Sequence, residues 1–210
     1  EIEGWLDGGD LPREPGAAVG RITVETDRAA LYVDMVQRTA PRPLNGMRLV
    51  LDCANGATHA IAPDLFADLG ADVTAIHTAP DGVNINAGCG STRPQSLCET
   101  VQEVGADAGL AFDGDGDRVM MCDERGAVVD GDRMMYIIAS AFQDAGTLPG
   151  NRVVATIMSN AGLDLALERR GIALDRTDVG DKYVALEMDR TGAALGGEQS
   201  GHLLLPALTP

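Results

Sequence analysis

The sequence has 210 residues, of which 45% are hydrophobic and only 3% aromatic, so its core must be built from aliphatic side chains. Its 32 acidic residues outnumber its 16 basic residues and give a formal net charge of −16. This charge disfavours nucleic acid and membranes as partners, and an anionic substrate would need a local cation to offset it.

The four cysteines form no C-x-x-C pair and lie at no zinc-finger spacing, so they are expected to be reduced thiols. The sequence contains no apolar run of the roughly 18 residues that cross a membrane, and no signal peptide is visible. These observations predict a cytoplasmic protein.

The first half of the sequence predicts an exposed connector followed by alternating strands and helices. Glycine, proline and charged residues predict a connector over residues 1–22, and spaced apolar residues predict a helix over 25–39. Further helices are predicted at 58–69 and 94–104, and strands at 47–52, 73–77, 108–112 and 119–123.

The pattern starts again near residues 126–132. Helices are predicted at 133–145, 161–170 and 183–190, and strands at 152–157, 173–177 and 193–195. Alternation of this kind is typical of α/β architecture. We therefore expect two consecutive α/β/α domains with mixed, mainly parallel sheets, at 23–128 and 129–210.

Three aspartates, Asp113, Asp115 and Asp117, alternate with glycines directly after the predicted strand at 108–112. In an extended segment these side chains share one side, and the glycines allow the backbone to curl so that the carboxylates converge. Converging carboxylates repel one another unless a cation lies between them. Ligands that are all oxygen select a hard ion such as Mg²⁺, Mn²⁺ or Ca²⁺.

Other interpretations of this motif fit less well. A surface turn is disfavoured because a buried strand precedes the motif. An EF-hand would need glycine where Arg118 stands, and strands rather than helices flank the motif. The sequence therefore predicts a magnesium site that is shared with a phosphate, to which Arg118 supplies a cation.

Two further motifs follow predicted strands. In the segment Gly-Gly-Glu-Gln-Ser-Gly-His at 196–202, Glu198 and Ser200 offer groups suited to sugar hydroxyls, and His202 can carry a proton near neutral pH. A glycine-rich turn would explain the same composition. Lys182, in the segment 178–182, could contact phosphate, or the segment could simply be a capped helix start.

The segments DGDGDR at 113–118, VGDKYV at 179–184 and GGEQSGH at 196–202, in this order, resemble the α-D-phosphohexomutase superfamily. Segment 81–91 and Gln199 are most similar to its bacterial phosphoglucosamine mutase branch. The resemblance implies that the sequence corresponds to a connector, domain two and a truncated domain three of a four-domain enzyme. Domain one, with a phosphorylated Ser-His-Asn-Pro motif, and the phosphate-binding domain four would be missing.

The resemblance also implies a reaction. The whole enzyme would interconvert glucosamine 6-phosphate and glucosamine 1-phosphate through a phosphoserine and glucosamine 1,6-bisphosphate, for UDP-N-acetylglucosamine and cell-wall precursor synthesis. Residues 1–210 alone are expected to be inactive. The alternatives are a phosphomannomutase/phosphoglucomutase of the same superfamily and a non-catalytic metal-binding module; a homodimer is left open.

The same resemblance assigns roles to the residues of these motifs. One Mg²⁺ would be held by Asp113, Asp115 and Asp117. Catalysis would involve Arg118 and His202. The phosphosugar would be contacted by Glu198, Ser200 and Lys182.

Overall fold

The computed structural model describes residues 2–8, 16–24, 28–40 and 42–206. The predicted helix start at 25–27, part of the predicted connector and the last four residues of the second predicted domain lie outside the described residues. Among the described residues, no helix is long and apolar enough to cross a membrane.

The described amino-terminal residues are mostly exposed. They form helix α1 (Ile2–Asp7), which the composition of the predicted connector did not indicate, and a short 3₁₀ turn at Gly16–Ala18. Helix α2 (Arg28–Thr39) follows and buries none of its described residues.

The first sheet has five strands in the order β2-β1-β3-β4-β5. Strand β1 pairs in parallel with β2 and β3, whereas β4 pairs antiparallel with both β3 and β5. The strands are β1 (Arg48–Asp52), β2 (Asp72–Ile76), β3 (Ala108–Phe112), β4 (Val119–Asp123) and β5 (Val128–Val129), and the helices of this unit are α3 (Ala62–Asp68) and α4 (Gln95–Val104).

Strand β1 contributes to the hydrophobic clusters on both faces of this sheet. Val50 packs with Leu97 and Val101 of α4, while Leu49 and Leu51 pack in the cluster on the other face. A strand buried on both faces has a continuous apolar run, as residues 49–51 form here, and each fully buried side chain of this type contributes about 1.5–3 kcal/mol.

The second sheet has four strands in the order β7-β6-β8-β9. Strand β6 pairs in parallel with β7 and β8, and β9 returns antiparallel to β8. The strands are β6 (Arg152–Thr156), β7 (Ala173–Thr177), β8 (Gly196–Gly197) and β9 (Leu203–Leu204), and the helices are α5 (Gly131–Asp144), α6 (Ala161–Arg169) and α7 (Asp181–Thr191). The predicted α/β architecture with mixed sheets is confirmed.

The predicted strand at 193–195 is wrong. The structure places the strand at Gly196–Gly197, inside the motif that was expected to follow the strand, while Leu195 is buried in the core before it. A Cβ atom on Gly196 would lie 2.4 Å from the Met188 sulfur and 2.7 Å from Val184 Cγ1, so a side chain at this position would have to displace side chains of α7. Hydrophobicity cannot reveal a strand made of two glycines.

The predicted helix at 58–69 is also interrupted. A 3₁₀ turn covers Ala57–Ala60, and α3 begins only after Ile61, whose φ of −124° lies outside the helical region. The short strands β5 and β9 had no counterpart in the sequence prediction, because two-residue strands give too little periodicity to detect.

Candidate active site

The segment 113–118, which we call the acidic loop, joins β3 to β4 at the carboxyl end of β3. Ligands of open α/β sheets bind at this edge. The loop is anchored from outside by Ala57, whose N–H donates a hydrogen bond of 2.8 Å to the Gly114 carbonyl. Gly56 packs against Gly114 so closely that a Cβ atom on Gly56 would lie 2.3 Å from the Gly114 carbonyl oxygen.

Asp113 organises the acidic loop from within. Its Oδ1 accepts hydrogen bonds from the N–H groups of Gly116 and Arg118, both at 3.1 Å. Its own N–H donates to the Arg118 carbonyl at 3.2 Å. Gly116 has φ of +80°, which a residue with a side chain adopts only under strain, so the glycine permits the curl that the sequence predicted.

The three aspartates converge as predicted. One carboxylate oxygen from each of Asp113, Asp115 and Asp117 lies within 4.8 Å of the others. Asp113 is buried, whereas the other two are exposed. The Arg118 guanidinium lies 2.7 Å from Asp113 Oδ2 and 3.3 Å from Asp117 Oδ1.

The donor set fits a hard divalent cation. Asp113 Oδ2 is buried and, although it contacts Arg118, accepts no aligned hydrogen bond, so it has a free lone pair inside the cluster. Two exposed carboxylates complete an all-oxygen set that remains open to solvent. Mg²⁺ prefers such oxygen ligands and retains positions for water or phosphate.

The surroundings of the acidic loop shift the pKa values of its charged groups in different directions. Burial favours a higher pKa for Asp113, but the N–H and the guanidinium of Arg118 outweigh it and lower this pKa below its usual range. Burial and the neighbouring Asp113 charge raise the pKa of Asp117. Arg118 is partly desolvated, yet the Asp113 charge and the hydrogen bond and charge of Asp117 raise its pKa, so it stays a cation.

The segment 196–202, which we call the glycine-rich loop, consists of β8 and the hairpin turn that leads into β9. Its Glu198 is half-buried and bonded through both oxygens: Oε1 accepts from the Gly180 N–H at 3.0 Å, and Oε2 accepts from the Ser200 hydroxyl at 3.1 Å. Glu198 therefore joins the glycine-rich loop to the residue that precedes α7. The sequence predicted sugar contacts for Glu198 and Ser200 but gave no sign of this link.

The two loops meet directly. The Val119 N–H, directly after the acidic loop, donates to the Gly201 carbonyl at 3.2 Å. The start of α5 also reaches the glycine-rich loop, because the Gly131 N–H donates to the Gln199 carbonyl at 3.1 Å. A Cβ atom on Gly201 would lie 2.0 Å from the Val119 carbonyl oxygen, and one on Gly131 would lie 2.0 Å from the Glu198 carbonyl oxygen. Only glycine fits at either position, so the approach of β4 and of α5 to the glycine-rich loop depends on these two glycines.

A cleft of about 390 Å³ opens beside this junction. Its size is within the range of small-molecule sites. It is lined by residues of β4, of the N-cap of α5, of the end of β6, of the segments that follow β6 and β7, and of the glycine-rich loop: Met120, Asp130, Thr156, Met158, Val179, Glu198, Gln199 and Ser200.

His202 lies at the junction and Lys182 at its edge. His202 Nδ1 is 3.3 Å from Asp117 Oδ2, and its Nε2 is 4.0 Å from Asp181 Oδ2. Lys182 is exposed near the start of α7, with Nζ 4.8 Å from the Tyr183 ring centroid. The capped helix start that the sequence left open is not made by Gly180, which offers no side-chain cap.

The structure thus gathers most of the predicted site residues at one junction and leaves Lys182 at its rim. Sequence reasoning missed Asp181, the Gly180 N–H and the partner residues Val119 and Gly131. Gly131 could have been noticed in the sequence, because it is a glycine that no predicted turn requires. The sequence does not show, however, which part of the chain approaches such a glycine.

Comparison with known proteins gives a consistent result. The family model described as phosphoglucomutase/phosphomannomutase, alpha/beta/alpha domain II, matches residues 30–126, and the corresponding domain III model matches residues 130–209. A phosphoglucosamine mutase of Bacillus cytotoxicus is 49% identical over 207 residues, which is 98% of this chain and 46% of that protein. The chain therefore spans about half the length of the curated relatives it matches.

Solved structures share the fold. A phosphoglucomutase/phosphomannomutase family protein from Burkholderia thailandensis matches with a TM-score of 0.75 and 24% identity, over 86% of this chain and 39% of that chain. N-acetylphosphoglucosamine mutase from Aspergillus fumigatus, solved with GlcNAc-6P and magnesium, matches with a TM-score of 0.58 and 23% identity, over 84% of this chain and 39% of that chain.

Proposed function

This chain belongs to the phosphoglucomutase/phosphomannomutase family, and on that premise we propose that it provides the metal-binding and sugar-binding parts of a phosphoglucosamine mutase. The whole protein would interconvert glucosamine 6-phosphate and glucosamine 1-phosphate. The observation that carries this proposal is the junction at which the acidic loop and the glycine-rich loop meet beside one cleft. The identity of 49% to relatives of that name supports the choice of sugar.

Asp113, Asp115 and Asp117 would hold one Mg²⁺. When bound, the ion supplies positive charge to the oxygens of a transferring phosphoryl group. The buried Asp113 fixes the position of the set through its bonds to the loop backbone, whereas the exposed carboxylates leave the site open on the solvent side.

Arg118 would have two tasks. Its guanidinium holds the carboxylates of Asp113 and Asp117 in one arrangement through contacts at 2.7 and 3.3 Å. A guanidinium has five N–H donors, so donors remain for a phosphoryl oxygen, and its charge offsets part of the strongly acidic surroundings.

Glu198 and Ser200 would contact the sugar. Each Glu198 oxygen accepts one bond within the protein, and a carboxylate oxygen has a further lone pair for a sugar hydroxyl or amine. His202, between Asp117 and Asp181, would hold a proton at the edge of the site, and Lys182 would contact a substrate phosphate from the start of α7.

We place the remaining parts in the portion of the relatives' length that this chain does not span. These are the phosphoserine that carries the phosphoryl group, with glucosamine 1,6-bisphosphate as the intermediate, and the site for the distal phosphate. We also propose that the protein works in the cytoplasm, where its substrates would be made.

The test is an assay of the full-length protein with Mg²⁺, catalytic bisphosphate and, in parallel, the 6-phosphates of glucosamine, glucose and mannose. We expect kcat/KM to be highest for glucosamine 6-phosphate. Preference for glucose or mannose phosphate would make the protein a phosphoglucomutase or phosphomannomutase instead. Metal binding without turnover of any of the three would reduce it to a non-catalytic metal-binding module.

A further inference from the structure

A second cluster of potential metal ligands lies at the carboxyl ends of β1 and β2, outside the acidic loop. It consists of Asp52, His77 and Cys89, whose ligand atoms lie within 4.8 Å of one another. Asp52 and Cys89 are fully buried, and the His77 side chain is 31% exposed. The three residues come from two strand ends and a separate loop, so the fold rather than local sequence brings them together.

Backbone hydrogen bonds fix the two strand ends relative to each other. The Cys53 N–H donates to the Ile76 carbonyl at 3.1 Å, and the Asn55 N–H donates to the His77 carbonyl at 2.7 Å. They hold His77 with φ of +51° and bring its Nδ1 to 3.0 Å from Asp52 Oδ1.

The His77 Nδ1 atom has no aligned hydrogen bond although it is buried. As an acceptor, Nδ1 would direct its lone pair at a carboxylate oxygen 3.0 Å away, which is repulsive, and as a donor it lacks the alignment for a bond. Asp52 accepts one N–H at each oxygen, from Ala54 at 2.9 Å and from Gly90 at 2.8 Å, and retains further lone pairs. A cation shared by Nδ1 and Asp52 would satisfy both groups.

Cys89 completes the set with sulfur. The Asn55 side chain has a fixed orientation, because its Oδ1 accepts from the Ala79 N–H at 3.1 Å, and its Nδ2 then lies 3.9 Å from the Cys89 sulfur. An N–H donor beside sulfur stabilises a metal-bound thiolate. Without an ion, burial and the Asp52 charge raise the pKa of Cys89, so the residue is a thiol whose proton must leave when a metal binds.

We propose that Asp52, His77 and Cys89 bind one divalent transition-metal ion of the zinc class, at a site separate from the acidic loop. Zinc accepts one oxygen, one nitrogen and one sulfur ligand in tetrahedral geometry, with water at the fourth position. Magnesium, which selects oxygen, is excluded by this donor set. The Cys89 thiol loses its proton to solvent as the metal–sulfur bond forms, so binding releases one proton per ion.

The proposal does not depend on the proposed mutase activity, and its test uses spectroscopy. The full-length protein, reduced and freed of metal, is titrated with Co²⁺ in the presence of excess Mg²⁺. A thiolate ligand produces a sulfur-to-cobalt charge-transfer band in the near ultraviolet, which an all-oxygen site such as the acidic loop cannot produce. We expect this band to saturate at one ion per chain and to disappear when one equivalent of Zn²⁺ is added.

Three matched variants locate the site. Cys89→Ser should abolish the band, and His77→Asn, which suits the left-handed backbone at this position, should weaken Co²⁺ binding by at least roughly tenfold. Cys98→Ser, which changes a cysteine outside the cluster, should leave the titration unchanged. No band in the folded parent protein, or a band of equal strength in Cys89→Ser, would overturn the proposal. The first of these results needs no variant to fold.

Discussion

The acidic loop and the glycine-rich loop lie side by side but are built in different ways. Bonds between residues 113 and 118 shape the acidic loop: Asp113 accepts from two N–H groups of its own loop and pairs with Arg118. The glycine-rich loop also has internal bonds, from the Glu198 N–H to the His202 carbonyl and from the Gly201 N–H to the Glu198 carbonyl. In addition, N–H groups of three other segments hold it, those of Gly180, Gly131 and Val119. A loop shaped by its own residues should tolerate changes elsewhere, whereas one held by others should depend on them.

The two loops also offer one position at which a substitution should affect mainly activity and one at which it should affect mainly stability. Asp115 is exposed and, among the described residues, its carboxylate makes no hydrogen bond or ion pair, so its role is confined to the ligand set. Gly201 contributes no side chain, yet it is packed against Val119. Substitutions of Asp115 and Gly201 therefore test the two loops through different measurements, of activity and of stability.

The largest effect is expected for Asp115→Asn in the full-length protein. The change removes one negative ligand of the proposed Mg²⁺ and should lower kcat/KM by about a hundredfold or more, because even indirect partners of a metal are worth 10–100-fold. The free energy of unfolding should change by less than about 0.5 kcal/mol, since the side chain is exposed. Steady-state kinetics and urea unfolding measure the two quantities.

The matched control is Asp72→Asn. It makes the same change of charge at an exposed position at the amino end of β2, the sheet edge opposite to the acidic loop. Its kinetics should equal those of the parent protein. Equal turnover in both variants would show that Asp115 is not a metal ligand.

The next largest effect is expected for Gly201→Ala, which attacks the contact between the loops. The φ of +91° costs a residue with a side chain about 1–2 kcal/mol, and the 2.0 Å approach to the Val119 carbonyl should add about 1–3 kcal/mol. Gly192→Ala is the control, because Gly192 has φ of +71° with no atom near its Cβ position. Urea unfolding should show the larger loss for Gly201→Ala; equal losses would mean that the contact is not a tight one.

The way each loop is held explains how much of the site could be predicted. The sequence predicted the convergence of the aspartates because alternation with glycine is a local property, and that prediction agrees with the structure. It also predicted the α/β fold, because β1 and α4 have clear apolar periodicity. The assignment of these residues to metal and sugar remains a prediction.

The strand predicted at 193–195 and found at Gly196–Gly197 shows what a local pattern cannot predict. Gly196 in β8 packs directly against Met188 and Val184 of α7, and nothing within the motif indicates that helix. Similarly, a glutamate in such a motif is typical of a ligand-binding residue, but the bond from the Gly180 N–H to Glu198 depends on how β7 leads into α7. Long-range contacts of this kind are not encoded in a local pattern.

A smaller effect is expected for Arg118→Lys. An ammonium group keeps the charge but cannot contact Asp113 and Asp117 with the same planar fork. We expect kcat to fall roughly tenfold while KM changes less, because the carboxylates lose a supporting partner. Arg125→Lys is the control, since Arg125 lies in an exposed turn and pairs only loosely with Glu124 at 3.4 Å. A raised KM with unchanged kcat would make Arg118 a binding residue.

The smallest effect is expected for Ser200→Ala, which probes the one bond that the glycine-rich loop makes within itself through side chains. The Ser200 hydroxyl donates to Glu198 Oε2 at 3.1 Å in a half-buried position. Its loss should lower the free energy of unfolding by about 1 kcal/mol, because Glu198 keeps its bond to the Gly180 N–H and its freed oxygen faces the cleft.

Ser140→Ala is the matched control for this last prediction. The Ser140 hydroxyl is buried in α5 without a hydrogen-bond partner, so alanine there removes no bond and should leave stability unchanged or slightly raised. Thermal and urea unfolding of both variants give the difference. If Ser200→Ala lost several kcal/mol, the glycine-rich loop would be shaped by its own side chains much as the acidic loop is. The contacts from Gly131, Gly180 and Val119 would then be secondary to it.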